Sequence, residues 1–175
     1  MNNYDFIIRF ANDRDTEAMA EISALSKKRA YDGIVSDTVL NQPIEDKECR
    51  DEQMRLRMKK RISIVAIDKA TCKTLGFAQF VLGNEETDAE YANAELCSLY
   101  VHPDYQGKGV GAALLKRVKD LCSVGNNKTL ALFCFKDNPK AVEFYTKHGG
   151  AVFKEQKHQF GDKEYDHFVF IFSLQ

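Results

Sequence analysis

The sequence lacks a dominant charge. Its 25 Lys and Arg stand against 26 Asp and Glu, a formal net charge of −1. No bulk field therefore favours nucleic acid or an anionic membrane. It lacks an apolar run long enough to span a bilayer. Its first residues, Met1-Asn2-Asn3-Tyr4-Asp5, show neither a basic flank nor an apolar signal core. We therefore expect a cytoplasmic protein with no nucleic-acid or membrane partner. Repeats, low-complexity tracts and linkers are also missing, so 1–175 is expected to form a single domain. The five cysteines (49, 72, 97, 122, 134) are odd in number and match no zinc spacing. Reduced thiols and no metal site are the expectation. What remains is an ordinary globular composition, 44% hydrophobic and 29% charged.

Period-two and helical patterns alternate along the chain. Residues 4–10 read as a strand, and Asp13 or Asp15 is placed to cap the helix that follows. Gly33 and Pro43 interrupt the next stretch. A charged helix is expected over 45–61, with Met54, Leu56 and Met58 embedded in it. Strands at 62–67 and 75–82 flank a hairpin connection at 68–73. A polar insert, 83–93, leads to an apolar strand, Leu96 to Val101. After Gly111 comes a helix with Leu114, Val118, Leu121 and Cys122 on one stripe. A strand at 129–135 and a helix opening at Asn138 follow. Two late strands, about 151–159 and 165–173, meet near Gly161-Asp162.

The most informative segment is Gln106-Gly107-Lys108-Gly109-Val110-Gly111. Glycines let a backbone approach a ligand, and the N–H groups of a helix start attract phosphate. A Walker A pattern is absent. Gly107, Gly109 and Ala112 match a dinucleotide fingerprint, but the acidic residue that should follow is not correctly placed, because Asp120 falls within the same helix. The remaining pattern is Gln-x-x-Gly-x-Gly: Gln106, Gly109 and Gly111. Before it stands Ala94-Glu95-Leu96-Cys97-Ser98-Leu99-Tyr100-Val101-His102-Pro103, and after it Asn138-Pro139-Lys140-Ala141-Val142-Glu143-Phe144-Tyr145.

In order and spacing these segments resemble the GNAT acyltransferase superfamily, the relatives of general control N-acetyltransferase. The match is specific over about 94–153. One departure is the Gly149-Gly150-Ala151 run, which moves the next apolar anchor to Val152 or Phe153 and unsettles the strand register there. The resemblance implies an α+β fold. Its mixed, mostly antiparallel sheet of six to seven strands is flanked by about four helices, and a splayed central strand pair binds acetyl-CoA. It implies acetyl transfer from acetyl-CoA, as co-substrate, to a primary amine of a small molecule or peptide, by direct attack in a ternary complex. The alternative is a non-catalytic acyl-CoA sensor or partner-binding module. Homodimerisation is compatible with the family.

The resemblance also assigns roles. Gln106, Gly107, Lys108, Gly109, Val110 and Gly111 hold the pyrophosphate, Lys108 either as a phosphate contact or as a solvated turn lysine. Main-chain groups of Leu99, Tyr100 and Val101 pair with the pantetheine arm as an added strand would, and an amide near Leu99 aids the oxyanion. Glu95 is the candidate general base, with Glu90 a weaker substitute, and Tyr145 is the candidate acid for the thiolate. Each has a plainer reading, Glu95 as a polar strand-end residue and Tyr145 as a half-buried aromatic. Asn138 caps its helix or contacts the cofactor arm. Cys97, on the side of the strand that carries Glu95, reads as a structural thiol rather than a nucleophile. His102 reads as a turn residue and His148 as a helix terminus, while His158 and His167 are candidates for an acceptor pocket. The helices over 15–61 should wall that pocket. The run Glu85, Glu86, Asp88, Glu90 and Glu95 suits a cationic, polyamine-like acceptor, or is a solvated loop. Arg55, Arg57, Lys59, Lys60 and Arg61 read as an exposed helix face.

Overall fold

The computed structural model describes residues 5–82, 92–161 and 163–174. In chain order the elements are β1 (Phe6–Phe10), α1 (Thr16–Tyr31), α2 (Asp37–Glu45), α3 (Lys47–Lys60), β2 (Ile62–Asp68), β3 (Thr74–Leu82), β4 (Ala94–Val101), α4 (Val110–Val124), β5 (Thr129–Phe135), α5 (Pro139–Lys147), β6 (Ala151–Phe160) and β7 (Lys163–Ser173). The strands form one seven-stranded sheet in the order β1-β2-β3-β4-β5-β7-β6. The β1–β2, β2–β3, β5–β7 and β6–β7 pairs are antiparallel, and β4–β5 is parallel. This is the expected α+β architecture, with five α-helices among the described residues.

The chain divides into two compact units, Met1–Phe80 with Ser98–Val118, and Val81–Cys97 with Lys119–Gln175. In the first, Met19, Ala20 and Ile22 of α1 and Met54 of α3 pack on Val65, Ile67 and Phe77, with Tyr100 at the margin. Removing these apolar groups from water is the main force holding α1 and α3 on the strands, at roughly 1.5–3 kcal/mol for each large side chain fully buried. In α3, Met54 is buried and Met58 packs against this core, whereas Leu56 is half exposed. Asp15 stands at the N-cap position of α1, as expected, but its side chain makes no cap bond to that helix. The side-chain cap belongs to a preceding 3-10 turn, Asp13–Asp15, where the Asn12 side chain accepts from the Arg14 N–H. Asp15 closes the capping box by accepting the Asn12 N–H. Its carboxylate also forms a two-point pair with Arg9 at 2.7 and 2.8 Å, which holds it below the ordinary carboxylate range despite its burial.

The stretch broken by Gly33 and Pro43 folds as α2 after all. Pro43 sits two residues before its C-terminal end and forfeits only one bond of the last turn. The helix expected over 45–61 is α3, capped by Asp46 through the Cys49 N–H. All five cysteines are free thiols.

In the second unit, β4 and β5 pair only at Ala94↔Leu130 and Glu95↔Ala131 among the described residues, although the strands are eight and seven residues long. This is the expected splayed pair. The Gly149-Gly150 departure has a local cause. Gly149 (φ +91°) takes the left-handed conformation at the end of α5. Its N–H bonds to Thr146 and that of Gly150 to the Tyr145 carbonyl, the two bonds of a glycine-terminated helix. A Cβ on Gly150 would stand 2.7 Å from the Phe172 ring, 3.0 Å from Phe170 and 3.0 Å from the Tyr145 carbonyl. No apolar anchor replaces it: Val152 and Phe153 are both exposed, on a β6 whose register shifts between Val152 and Lys154. Gly150→Ala is therefore expected to destabilise the protein by about 1–3 kcal/mol through overpacking. Chemical denaturation checks this, and an unchanged midpoint would contradict it.

Candidate active site

The glycine segment lies in the first unit, between the exit of β4 and the start of α4. Gly107 (φ +75°) and Gly109 (φ +83°) both adopt the left-handed backbone that side chains disfavour. A Cβ placed on either meets nothing within 4 Å, so the turn is open on that side. The turn is fastened to the strand by Gln106, whose Nε2 donates to the Val101 carbonyl at 3.1 Å. The first bond of α4 runs from the Ala113 N–H to the Gly109 carbonyl. The amides of Val110, Gly111 and Ala112 precede that bond and form the positive end of the helix dipole. Lys108 lies with its Nζ 5.2 Å from the centre of the Tyr105 ring. An open glycine turn leading into a fifteen-residue helix has the donor set and the room that a pyrophosphate requires.

Leu99, Tyr100 and Val101 are half-buried at the end of β4. The Val101 carbonyl also accepts the Ser26 hydroxyl at 2.9 Å. Both of its lone pairs are thus in use, and any pairing with an extended ligand there falls to other main-chain groups. His102 is the turn residue it was expected to be, its Nδ1 accepting the Asp104 N–H.

The second unit holds Glu95, Cys97, Asn138 and Tyr145. Along β4, Ala94 and Leu96 are buried while Glu95 and Cys97 are only half-buried. Glu95 thus sits where β4 and β5 cease to pair, on the side of the strand away from the packed alanine and leucine. The Cys97 thiol lies 3.8 Å from the Glu95 carbonyl. Burial pushes Cys122 and Cys134 up to about 12, so neither is a thiolate near neutral pH. Asn138 caps α5, its side chain accepting the Ala141 N–H at 3.2 Å. Tyr145 is half-buried, with its ring centre 5.8 Å from Phe170 and 6.4 Å from Phe172. His148 ends α5, its Nδ1 2.7 Å from the Phe144 carbonyl. His167 does not line an open pocket: it is buried at 3% exposure, against Phe135, and burial lowers its pKa. His158 stacks on Phe133. Glu90 and the acidic run at 85–90 lie outside the described residues.

The sequence also concealed a cationic cluster in the first unit. Arg57 and Arg61 were expected on an exposed helix face, but both are half-buried. Lys27 of α1 places its Nζ 5.6 Å from the centre of the Tyr100 ring. The Tyr100 and Tyr31 hydroxyls are 3.2 Å apart. Burial, with Arg57 and Arg61 adding their charge, pushes the Lys27 ammonium down to about 7. Burial likewise lowers Arg57 and raises Tyr100. Only packing brings these residues together, so no sequence spacing pointed to them.

Comparison with known proteins agrees with this geometry. The model of the acetyltransferase (GNAT) family matches residues 28–150. A spermidine N(1)-acetyltransferase of Thermoplasma acidophilum is 26% identical over 149 residues, covering 83% of this chain and 88% of the relative. A GCN5-related N-acetyltransferase from Rhodopseudomonas palustris superposes with a TM-score of 0.78 at 20% identity, covering 99% of each chain. The PaiA N-acetyltransferase of Thermoplasma acidophilum, solved with coenzyme A, gives 0.73 at 21% identity, over 97% of this chain and 99% of the other. The chain belongs to the acetyltransferase (GNAT) family and is an acetyl-CoA-dependent N-acetyltransferase.

The Lys27 environment has a measurable consequence. Its folded value, about 7, lies below the ordinary 10.5. Between those two values the unfolded chain binds more protons than the folded one, so this group makes stability rise with pH across the window. Lys27→Met is expected to flatten that rise relative to the unsubstituted protein. Denaturant midpoints taken from pH 6 to pH 10 check it, and parallel curves for the two proteins would contradict it.

Proposed function

We propose that this acetyltransferase acts on a primary amine of a small molecule or peptide, by direct attack in a ternary complex within a single functional domain. The observation that carries this reading is the open glycine turn at the start of α4, on a strand that carries a half-buried carboxylate where its parallel pairing ends. The amides of Gly107 to Gly111 hold the pyrophosphate of acetyl-CoA. Lys108 adds charge beside them. Leu99 and Tyr100 offer main-chain groups to the pantetheine arm, with Val101 closing the strand, and Asn138 borders the same arm while capping α5. Acetyl-CoA supplies a thioester whose carbonyl carbon accepts the amine nitrogen.

An amine is protonated near neutral pH and cannot attack until it loses a proton. Glu95 takes that proton, directly or through a water. As the nitrogen–carbon bond forms, negative charge on the carbonyl oxygen is met by an amide near Leu99. As the carbon–sulfur bond breaks, the Tyr145 hydroxyl gives its proton to the thiolate. The similarity to a spermidine acetyltransferase supports a small amine, polyamine-like, as acceptor, and a peptide amine fits the same chemistry.

Coenzyme A thiol release, measured with a panel of polyamines, amino acids and peptides, tests the reading. Glu95→Gln and Tyr145→Phe are each expected to lower kcat by about 100-fold while leaving acetyl-CoA binding intact, the usual scale for a lost proton-transfer group. Full turnover in both variants would contradict the assigned roles.

A further inference from the structure

By register, one face of the second unit collects side chains from four strands. Glu95 of β4 lies opposite Ala131 of β5, and parallel partners in register point to the same side. Alternation then places Phe133 and Phe135 on the side of Glu95. Antiparallel pairing carries this face across the sheet, from Phe133 to Val169 and from Phe135 to His167 of β7, and from Tyr165 to His158 of β6. The rings meet there. Phe133 stacks on His158 at 5.2 Å and 14°, and Phe135 holds Phe160 and Tyr165 edge-on at 5.3 and 5.4 Å. The other face of the same strands is sealed: Tyr145 of α5 and Lys119 of α4 meet the fully buried Phe170 and Phe172 rings. On the Glu95 face Phe135 and His167 are buried, but Phe133, His158, Phe160 and Tyr165 are only half-buried. A contiguous group of part-exposed rings beside a half-buried carboxylate has the composition of a ligand site rather than of a closed core.

We propose that Phe133, His158 and Phe160 form an aromatic subsite for the acceptor, so that the preferred acceptor is a primary amine joined by a short chain to an aromatic ring. The inference rests on the amine transfer proposed above and narrows its substrate. Phe133 lies two residues beyond Ala131, the partner of Glu95, which is about 7 Å along the strand. An amine beside Glu95 can therefore lay its own ring on this patch. Ring faces attract both cations and other rings, and charge decides between them. Lys154 shares this face through its pairing with Val169, and Lys163 places its Nζ 5.0 Å from the centre of the Tyr165 ring. A second ammonium group, as in a polyamine, would meet these like charges, whereas a neutral ring does not. Glu95 and every ring of the subsite belong to the same unit.

The test uses the full chain and four amines: phenethylamine, 2-cyclohexylethylamine, n-butylamine and spermidine. The kcat/KM for phenethylamine is expected to exceed those for n-butylamine and spermidine by about tenfold, the scale of one stacked and buried ring. It should exceed that for 2-cyclohexylethylamine by about threefold, because that compound buries similar apolar area without a π face. Phe133→Leu and His158→Leu should remove the preference by raising the phenethylamine KM, with the KM for acetyl-CoA unchanged, and Phe133→Tyr should retain it. His158 stands on the edge strand, so its variant keeps the test open if Phe133→Leu does not fold. Val152→Ala, at an exposed position of the same strand, should change nothing. An equal or greater kcat/KM for any of the other three amines would overturn the proposal. So would a preference that survives both substitutions, or variants that raise the KM for acetyl-CoA instead. Absence of transfer to every amine would count against the chemistry at Glu95 and Tyr145, and calorimetric titration with coenzyme A present then decides the subsite by itself. A phenethylamine Kd about tenfold below those of n-butylamine and spermidine, lost in Phe133→Leu, upholds it, and equal Kd values refute it.

Discussion

A main chain that is to grip a pyrophosphate must present several N–H groups at one place and keep side chains out of the way. On the proposed reading, that constraint falls on two residues. Gly107 and Gly109 carry φ values of +75° and +83°, conformations that cost most other residues about 1–2 kcal/mol. Both glycines face open space. The turn they make follows a short 3-10 turn, Pro103–Tyr105, at the exit of β4 and leads directly into α4. Gln106 fixes it by tying its own side chain to the last carbonyl of the strand. The same carbonyl holds Ser26 of α1, so strand end, turn and first helix share one anchoring atom.

The second requirement of the proposed chemistry is a strand that parts from its parallel neighbour. In β4 the parallel pairing to β5 covers two positions and stops at Glu95. A carboxylate at this boundary is neither in the sealed interior nor in bulk water. On the proposed mechanism this carboxylate takes the acceptor's proton. In the same unit, Tyr145 is located by α5, and α5 is terminated by Gly149 and Gly150 against the Phe170 and Phe172 rings. What looked like a departure from the family pattern is thus the device that sets where the tyrosine's helix ends.

The parts of this protein that could be read from sequence are those where the physics is local. The glycine turn, the strand before it, the Asn138 cap and the order of the late strands all follow from neighbours a few residues apart. The elements read less well depended on tertiary choices. Pro43 reads as a breaker, yet near the end of α2 it loses a single hydrogen bond and is tolerated. Asp15 takes the N-cap position of α1 but not its capping bond, because its carboxylate is engaged by Arg9 and the Asn12 N–H. Leu56 looks embedded by composition and is exposed by helical phase. Arg57 and Arg61 read as solvent-facing charge, but α3 packs so that both are half-buried beside Lys27 and Tyr100. His167, a candidate for an acceptor pocket, is instead buried in the sheet against Phe135.

The account stands on the main-chain grip of the glycine turn. Calorimetric titration of acetyl-CoA into the protein and into Gly109→Val tests it most directly, because a β-branched residue cannot hold φ near +83° without strain while nothing crowds the site. The account predicts a Kd raised by at least about tenfold, with the melting temperature within a few degrees of the parent. An unchanged Kd in a folded variant would show that the cofactor's phosphates are held elsewhere.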